Sequence, residues 1–309
     1  MEQMIDQIKR QAAEDFSKAR TKEIFTQIMH FMDPQKNRLL SLNDVKEILK
    51  PKSESYKGME TVPINLIVGS EGRYQDFNKY FLPKSEHLRS RWERVDQARL
   101  SDITLPPIHL YEIGGVYFVR DGNHRVSVAK AQGVEMVDAE VISLSTELRL
   151  TPDMTIAELR QALLDYERNL FYEKTNFGKL TGCEDLNFTN PGRYDVIYNH
   201  IQVHKYYLNQ PREEEVSFDE AVVSWYTNVY APIISIITEQ KLCSLFPERT
   251  AADLYVWIVK HWDALKQKYG LNYALQDAVH DFGFRYGNPR PTLPGLIKSF
   301  FSGILGKRG

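Results

Sequence analysis

The chain has 309 residues, 42% of them hydrophobic and 26% charged, with a net charge of -2. That balance belongs to a folded protein with room for two domains, and it excludes a disordered or fibrous chain and a chain-wide nucleic-acid footprint. Two cysteines, Cys183 and Cys243, without CxxC spacing exclude a disulfide framework and a cysteine zinc site, and fit a reducing compartment.

The N-terminus, MEQMIDQIKRQAAEDF, is charged and lacks the apolar stretch of a signal peptide. No apolar run approaches the ~18 residues that span a bilayer, so a cytoplasmic location is expected. Ile5, Ile8, Ala12 and Phe16, and then Ile24, Phe25, Ile28 and Met29, recur at helical spacing. Asp33 and Pro34 end that helix, and Ser41, with Asp44 three residues on, caps a short second one. The stretch from Asp33 to Asp44 is no calcium loop, because Arg38 stands where the sharp turn needs glycine and Asp44 where a bidentate glutamate belongs. Residues 1–60 therefore read as an N-terminal helical segment ending in a polar linker, Pro51 to Gly58.

Residues 61–150 change period. Val62–Gly69 (VPINLIVG) predicts a strand, followed by an irregular segment with Gly72, Arg73 and Asp76. Ser85 is expected to cap the helix EHLRSRWERVDQARL. The strands IHLYEI and VYFVR flank Gly114-Gly115, a two-residue hairpin signal. Asp121-Gly122-Asn123 turns into the helix HRVSVAKAQ, which Gly133 closes, and MVDAEVISL is the last strand. Residues 151–309 read as a helical domain. Its aromatics, at spacings of three and four, suit a packed core. His200 and His204 share a helix face without an intervening Glu, which favours tertiary hydrogen bonding over a metal site. Within the tail, residues 294–309, Leu296, Ile297, Phe300, Phe301, Ile304 and Leu305 form an amphipathic stripe beside Lys298, Lys307 and Arg308. That stripe suits packing on the domain itself, docking on a protein partner, or weak membrane-surface contact.

The chemistry concentrates at Asp121. A strand passing directly into a helix leaves backbone N–H groups unpaired, and these favour an anion. Gly122 allows a sharp turn and a close approach. Asn123, His124 and Arg125 fall in the first helical turn, and Arg120 precedes it. Cations there oppose the helix dipole unless an anion neutralises them, and an arginine fork matches phosphate oxygens. A second cluster, GSEGRYQDF, supplies Arg73 as an anion contact. Glu71 or Asp76 would hold Mg²⁺ or act as a base; an internal Arg73–Asp76 pair in a surface loop is the competing reading. The arginines on the helix after Ser85 suit a solvated face, with Arg94, beside Trp92 and Val95, the one to watch.

From VPINLI to DGNHRVSVAKAQG and the strand after it, residues 61–145 resemble the ParB/sulfiredoxin fold, whose members include CTP-hydrolysing DNA clamps, free serine kinases, sulfinic-acid reductases and nuclease-like proteins. The resemblance implies an α+β chain: a small mixed-sheet domain of that type between an N-terminal helical segment and a C-terminal all-helical domain. It also implies a nucleoside triphosphate, CTP or ATP, with Mg²⁺, held near Gly122, Asn123, His124 and Arg125. Asn123 stands where sulfiredoxins carry their reactive cysteine, which removes thiol chemistry. Asp121 is the nearest acid to the motif, and no helix-turn-helix follows. The expected function is a nucleotide-dependent regulatory module. The alternatives are a small-molecule phosphotransferase, with Asp121, Glu71 or Asp76 as base, and a nucleic-acid-binding or nuclease-like protein, which the net charge does not support.

Overall fold

The computed structural model describes residues 2–270, 272 and 274–287; the amphipathic tail, residues 294–309, lies outside them. The architecture is α+β, and the chain divides into two units, residues 1–163 and 164–309. Where the sequence suggests three segments, the N-terminal helices and the sheet thus share one unit.

The first unit opens with α1 (Glu2–Met29). Its buried positions are Ala12, Phe16, Ala19 and Glu23, whereas Ile24, Phe25, Ile28 and Met29 are exposed. A short 3-10 turn, Pro34–Asn37, leads to β1 (Leu40–Ser41) and α2 (Leu42–Leu49), where Ser41 Oγ accepts from Asp44 N as a cap. The supposed linker is a strand, β2 (Glu54–Pro63). It pairs antiparallel over nearly its whole length with β6 (Met136–Leu144). It is an edge strand with most side chains in water, so no apolar alternation marks it in the sequence. The predicted strand Val62–Gly69 accordingly splits between the end of β2, a 3-10 turn at Ile64–Leu66 and β3 (Ile67–Ser70).

Helix α3 (Arg89–Leu100) follows a 3-10 turn at Glu86–Leu88. The Ser85 hydroxyl does not cap it; that side chain bonds to His87 Nδ1 at 2.6 Å. β4 (Ile108–Ile113) and β5 (Val116–Asp121) form the expected hairpin. Gly114 and Gly115 adopt φ of 61° and 91° between them, the left-handed pair that a tight twisted turn requires. α4 (Asn123–Ala131) joins β5 to β6. It ends as predicted at Gly133, φ 74°, with Val134 N donating to Ala129 O. The mixed sheet runs β1-β3-β5-β4-β6-β2, and separate buried clusters hold its faces: Ile67, Leu110, Val119 and Val126 in one, Val45, Ile113, Phe118 and Leu159 in the other.

The second unit is helical. It takes the C-terminal part of α5 (Ile156–Thr175), then α6 (Phe177–Thr181), α7 (Arg193–Asn209), α8 (Phe218–Trp225), α9 (Ala231–Glu239), α10 (Ala251–Tyr269) and α11 (Leu275–Tyr286). A π segment, Tyr226–Tyr230, joins α8 to α9 just before Pro232. That proline has no N–H to give to the residue four back, so the ladder locally widens. The aromatics form the core: Trp225, Tyr230 and Tyr255 lie with ring centroids 5.0–5.8 Å apart. Counted through the π segment, Phe218–Glu239 is, by length and a mean hydropathy of 1.3, apolar enough to cross a membrane, contrary to the sequence expectation. Its Val222, Trp225, Ile233 and Ile237 are nevertheless buried in this unit's core.

Candidate functional site

The turn at the end of β5 depends on a glycine. Gly122 has φ 108°, and a Cβ there would stand 3.1–3.2 Å from the Arg125 guanidinium. Both facts reserve the position for glycine. No side chain caps α4, so its first N–H groups are free of the usual partner. At this helix start, Asn123 and His124 are 7% and 5% exposed, and Asn123 Oδ1 and His124 Nδ1 are buried without a hydrogen-bond partner. Buried polar atoms are nearly always paired, because leaving one unpaired costs about 1–3 kcal/mol.

The surroundings of His124 are cationic. Its ring stands edge-on to Phe77 at 5.4 Å. Burial, then the charges of Arg91 and Arg73, push its pKa down to about 4, with Asp76 opposing and His87 adding slightly. Phe77 and Phe81 anchor the loop between β3 and α3, and Asn78 Oδ1 accepts from Tyr80 N and Leu82 N, both at 3.0 Å. That folded loop carries Arg73 and Asp76 toward α4. They form an ion pair at 2.9 Å, and the Arg73 side chain is 48% exposed. Arg91 makes no ion pair among the described residues. Sequence reasoning left Arg91 on a solvated helix face, passed over His87 and watched Arg94 instead, whose Nε bonds to Ser90 O on its own helix. Only the docking of α3 beside α4 tells these arginines apart. Its firmest link is Trp92 Nε1 donating to Ser127 Oγ at 2.8 Å.

The other predicted residues lie elsewhere. The Arg125 guanidinium donates to the carbonyls of Pro106 and Pro107 and to the Asp121 carboxylate. It therefore clamps the turn, and contacting an anion requires exchanging one of those partners. Arg120 stands over the Tyr111 ring at 5.8 Å and lines a groove of about 480 Å³ with Tyr56, His109, Asp121 and Glu140. Glu71 bears on the same ring: its charge helps to raise the Tyr111 pKa, after burial. The predicted residues thus divide into a cluster at His124 (Asn123, Arg73, Asp76), a clamp (Asp121, Arg125) and a pair at Tyr111 (Glu71, Arg120).

In the helical unit His200 Nδ1 pairs with the Tyr255 hydroxyl at 3.2 Å and His204 Nε2 with Ser224 Oγ at 2.9 Å. Among the described residues no three His, Cys, Asp or Glu side chains converge as metal ligands.

No family model matches the chain, and no curated protein matches it. Among solved structures it is similar to a Pnob8-like ParB-N domain in its C2221 crystal form: 14% identical, over 73% of this chain and 89% of that one, with a TM-score of 0.21.

Proposed function

We propose that the N-terminus of α4 binds the phosphate of a nucleotide, and that the protein is a ParB-like nucleotide-dependent regulatory module. One observation carries the reading: His124 lies more than nine-tenths buried, with its Nδ1 unpartnered and able to donate to an anion, at an uncapped helix start. A phosphate there would accept from the backbone N–H groups of the helix start and offset the charges of Arg73 and Arg91 beside the neutral His124. His124 would orient it, and Arg125, packed against Gly122, would keep the turn rigid. Mg²⁺ would arrive on the phosphates of CTP or ATP, with Asp76 the carboxylate placed to meet it.

The carboxylates favour binding over phosphoryl transfer. Asp121 is paired with Arg125, Asp76 is paired with Arg73, and Glu71 faces Tyr111, so none is an idle base beside His124.

Isothermal titration of the full chain with CTP, ATP, ADP and GTP, with and without Mg²⁺, tests the reading. At least one nucleotide should bind, and Arg73→Ala with Arg91→Ala, both on exposed side chains, should weaken it by about tenfold or more. If no nucleotide binds, or the double variant binds as well as the parent, the reading fails. A steep salt dependence for DNA or RNA binding would favour the nucleic-acid alternative instead.

A further inference from the structure

The far end of α4 opens on a second cavity, of about 660 Å³. Residues Lys130, Ala131 and Gln132 line it, seven or more residues along the helix from Asn123, a rise of roughly 10 Å. Its floor is apolar, made by Ile64 from the turn before β3, Ile67 at the start of β3, Leu82 from the loop before α3, and Val134 after α4.

Its rim is basic. Lys18 and Lys22 come from α1, Lys79 from the loop and Lys130 from α4, against two carboxylates, Asp15 and Asp153. Each carboxylate is already spent on one lysine: Lys18 pairs with Asp15 at 3.2 Å and Lys79 with Asp153 at 2.8 Å. Lys22 and Lys130 are left without a carboxylate partner among the described residues. Lys130 is the telling one. Its Nζ donates to Ile67 O at 2.8 Å and lies 4.8 Å from the centre of the Phe81 ring, which leaves ammonium protons unused. Burial alone pulls its pKa down to about 8, so the cation is held in a place that disfavours it.

We propose that this cavity is a ligand site for an organic phosphate monoester with an apolar body, the phosphate meeting Lys22 and Lys130 and the body lying on Ile64, Ile67, Leu82 and Val134. The two uncompensated ammonium groups match the charge of a monoester. The volume matches a drug-sized molecule, and the apolar floor explains why inorganic phosphate alone would leave most of the site unused. The site is independent of the nucleotide reading, since no residue of the His124 cluster lines it.

Octyl phosphate titrated into the full chain by calorimetry is the test. One equivalent should bind. Octanol and inorganic phosphate should each bind about tenfold more weakly or worse, and Lys22→Glu should weaken octyl phosphate by about tenfold. Lys130→Met should abolish binding; should that variant not fold, Lys22→Glu, on an exposed side chain, decides the matter. The proposal is overturned if octyl phosphate does not bind, if octanol or inorganic phosphate binds as well, or if Lys22→Glu has no effect.

Discussion

Asp96 lies fully buried on α3 and accepts from Gln132 Nε2, while its Oδ2 has no partner. Burial, and then the charge of Asp15, push its carboxyl up to about 6, against the Gln132 hydrogen bond and Arg99. In the unfolded chain the same carboxyl ionises near its ordinary value, so folding binds a proton between about pH 4 and 6, and the cost to stability is complete above that window. Asp96→Asn keeps the acceptor for Gln132 and removes that cost. It should stabilise the protein by roughly 1–2 kcal/mol at pH 7.5, and the gain should vanish as the pH falls to 4. Urea denaturation at the two pH values measures it; an equal gain at both would refute the account. His124 has the opposite sign: its pKa is pushed down to about 4, so it costs stability as the pH falls from about 6.5, and only single substitutions separate the two. Neither shift was legible in the sequence. His124 read as one more cation in a first helical turn. Its burial against Phe77 and its neighbours Arg73 and Arg91 make it neutral.

At the scale of elements, the polar chain Trp92 Nε1–Ser127 Oγ–Phe81 O ties α3 to α4 and to the loop that carries Arg73. Trp92 is fully buried, with its ring edge-on to Phe16 of α1 at 5.6 Å. Trp92→Phe deletes the donor and leaves space behind, and should cost about 1–3 kcal/mol. Ser127→Ala should cost less when made in the Trp92→Phe background than in the parent, by about 0.5 kcal/mol or more. Strict additivity in a double-mutant cycle would mean that the chain does not act as a unit. The elements with strong local signals were legible: the β4–β5 hairpin through Gly114-Gly115, the turn into α4 through Gly122, and the Ser41 cap. β2 was not, because a polar edge strand is defined by its partner β6 rather than by its own pattern. The apolar residues at the end of α1 recur at helical spacing, yet Phe25 and Met29 are 62% and 65% exposed. Periodicity reports a face and not what covers it.

At the scale of the molecule, residues 1–163 contain the whole sheet and the residues of both proposed sites, at the two ends of α4, with cores of their own in the clusters around Val119 and Phe118. Expressed alone, residues 1–163 should fold cooperatively and retain the binding of the parent chain at both proposed sites. A fragment that shows no cooperative urea transition would mean that the sheet unit depends on the helices that follow.

By itself the sequence determined the α+β class, the strand–turn–helix at Asp121 and the aromatic character of the helical unit, because glycines, caps and periodicity act within a few residues of themselves. The tertiary structure alone decided that Arg125 clamps while the charge of Arg91 bears on His124, that Glu71 and Arg120 act on Tyr111, and that Lys22 and Lys130 line one cavity. Such pairings join residues far apart in the chain. Burial, charge and hydrogen bonding at each of them depend on which elements pack together, which no local pattern encodes.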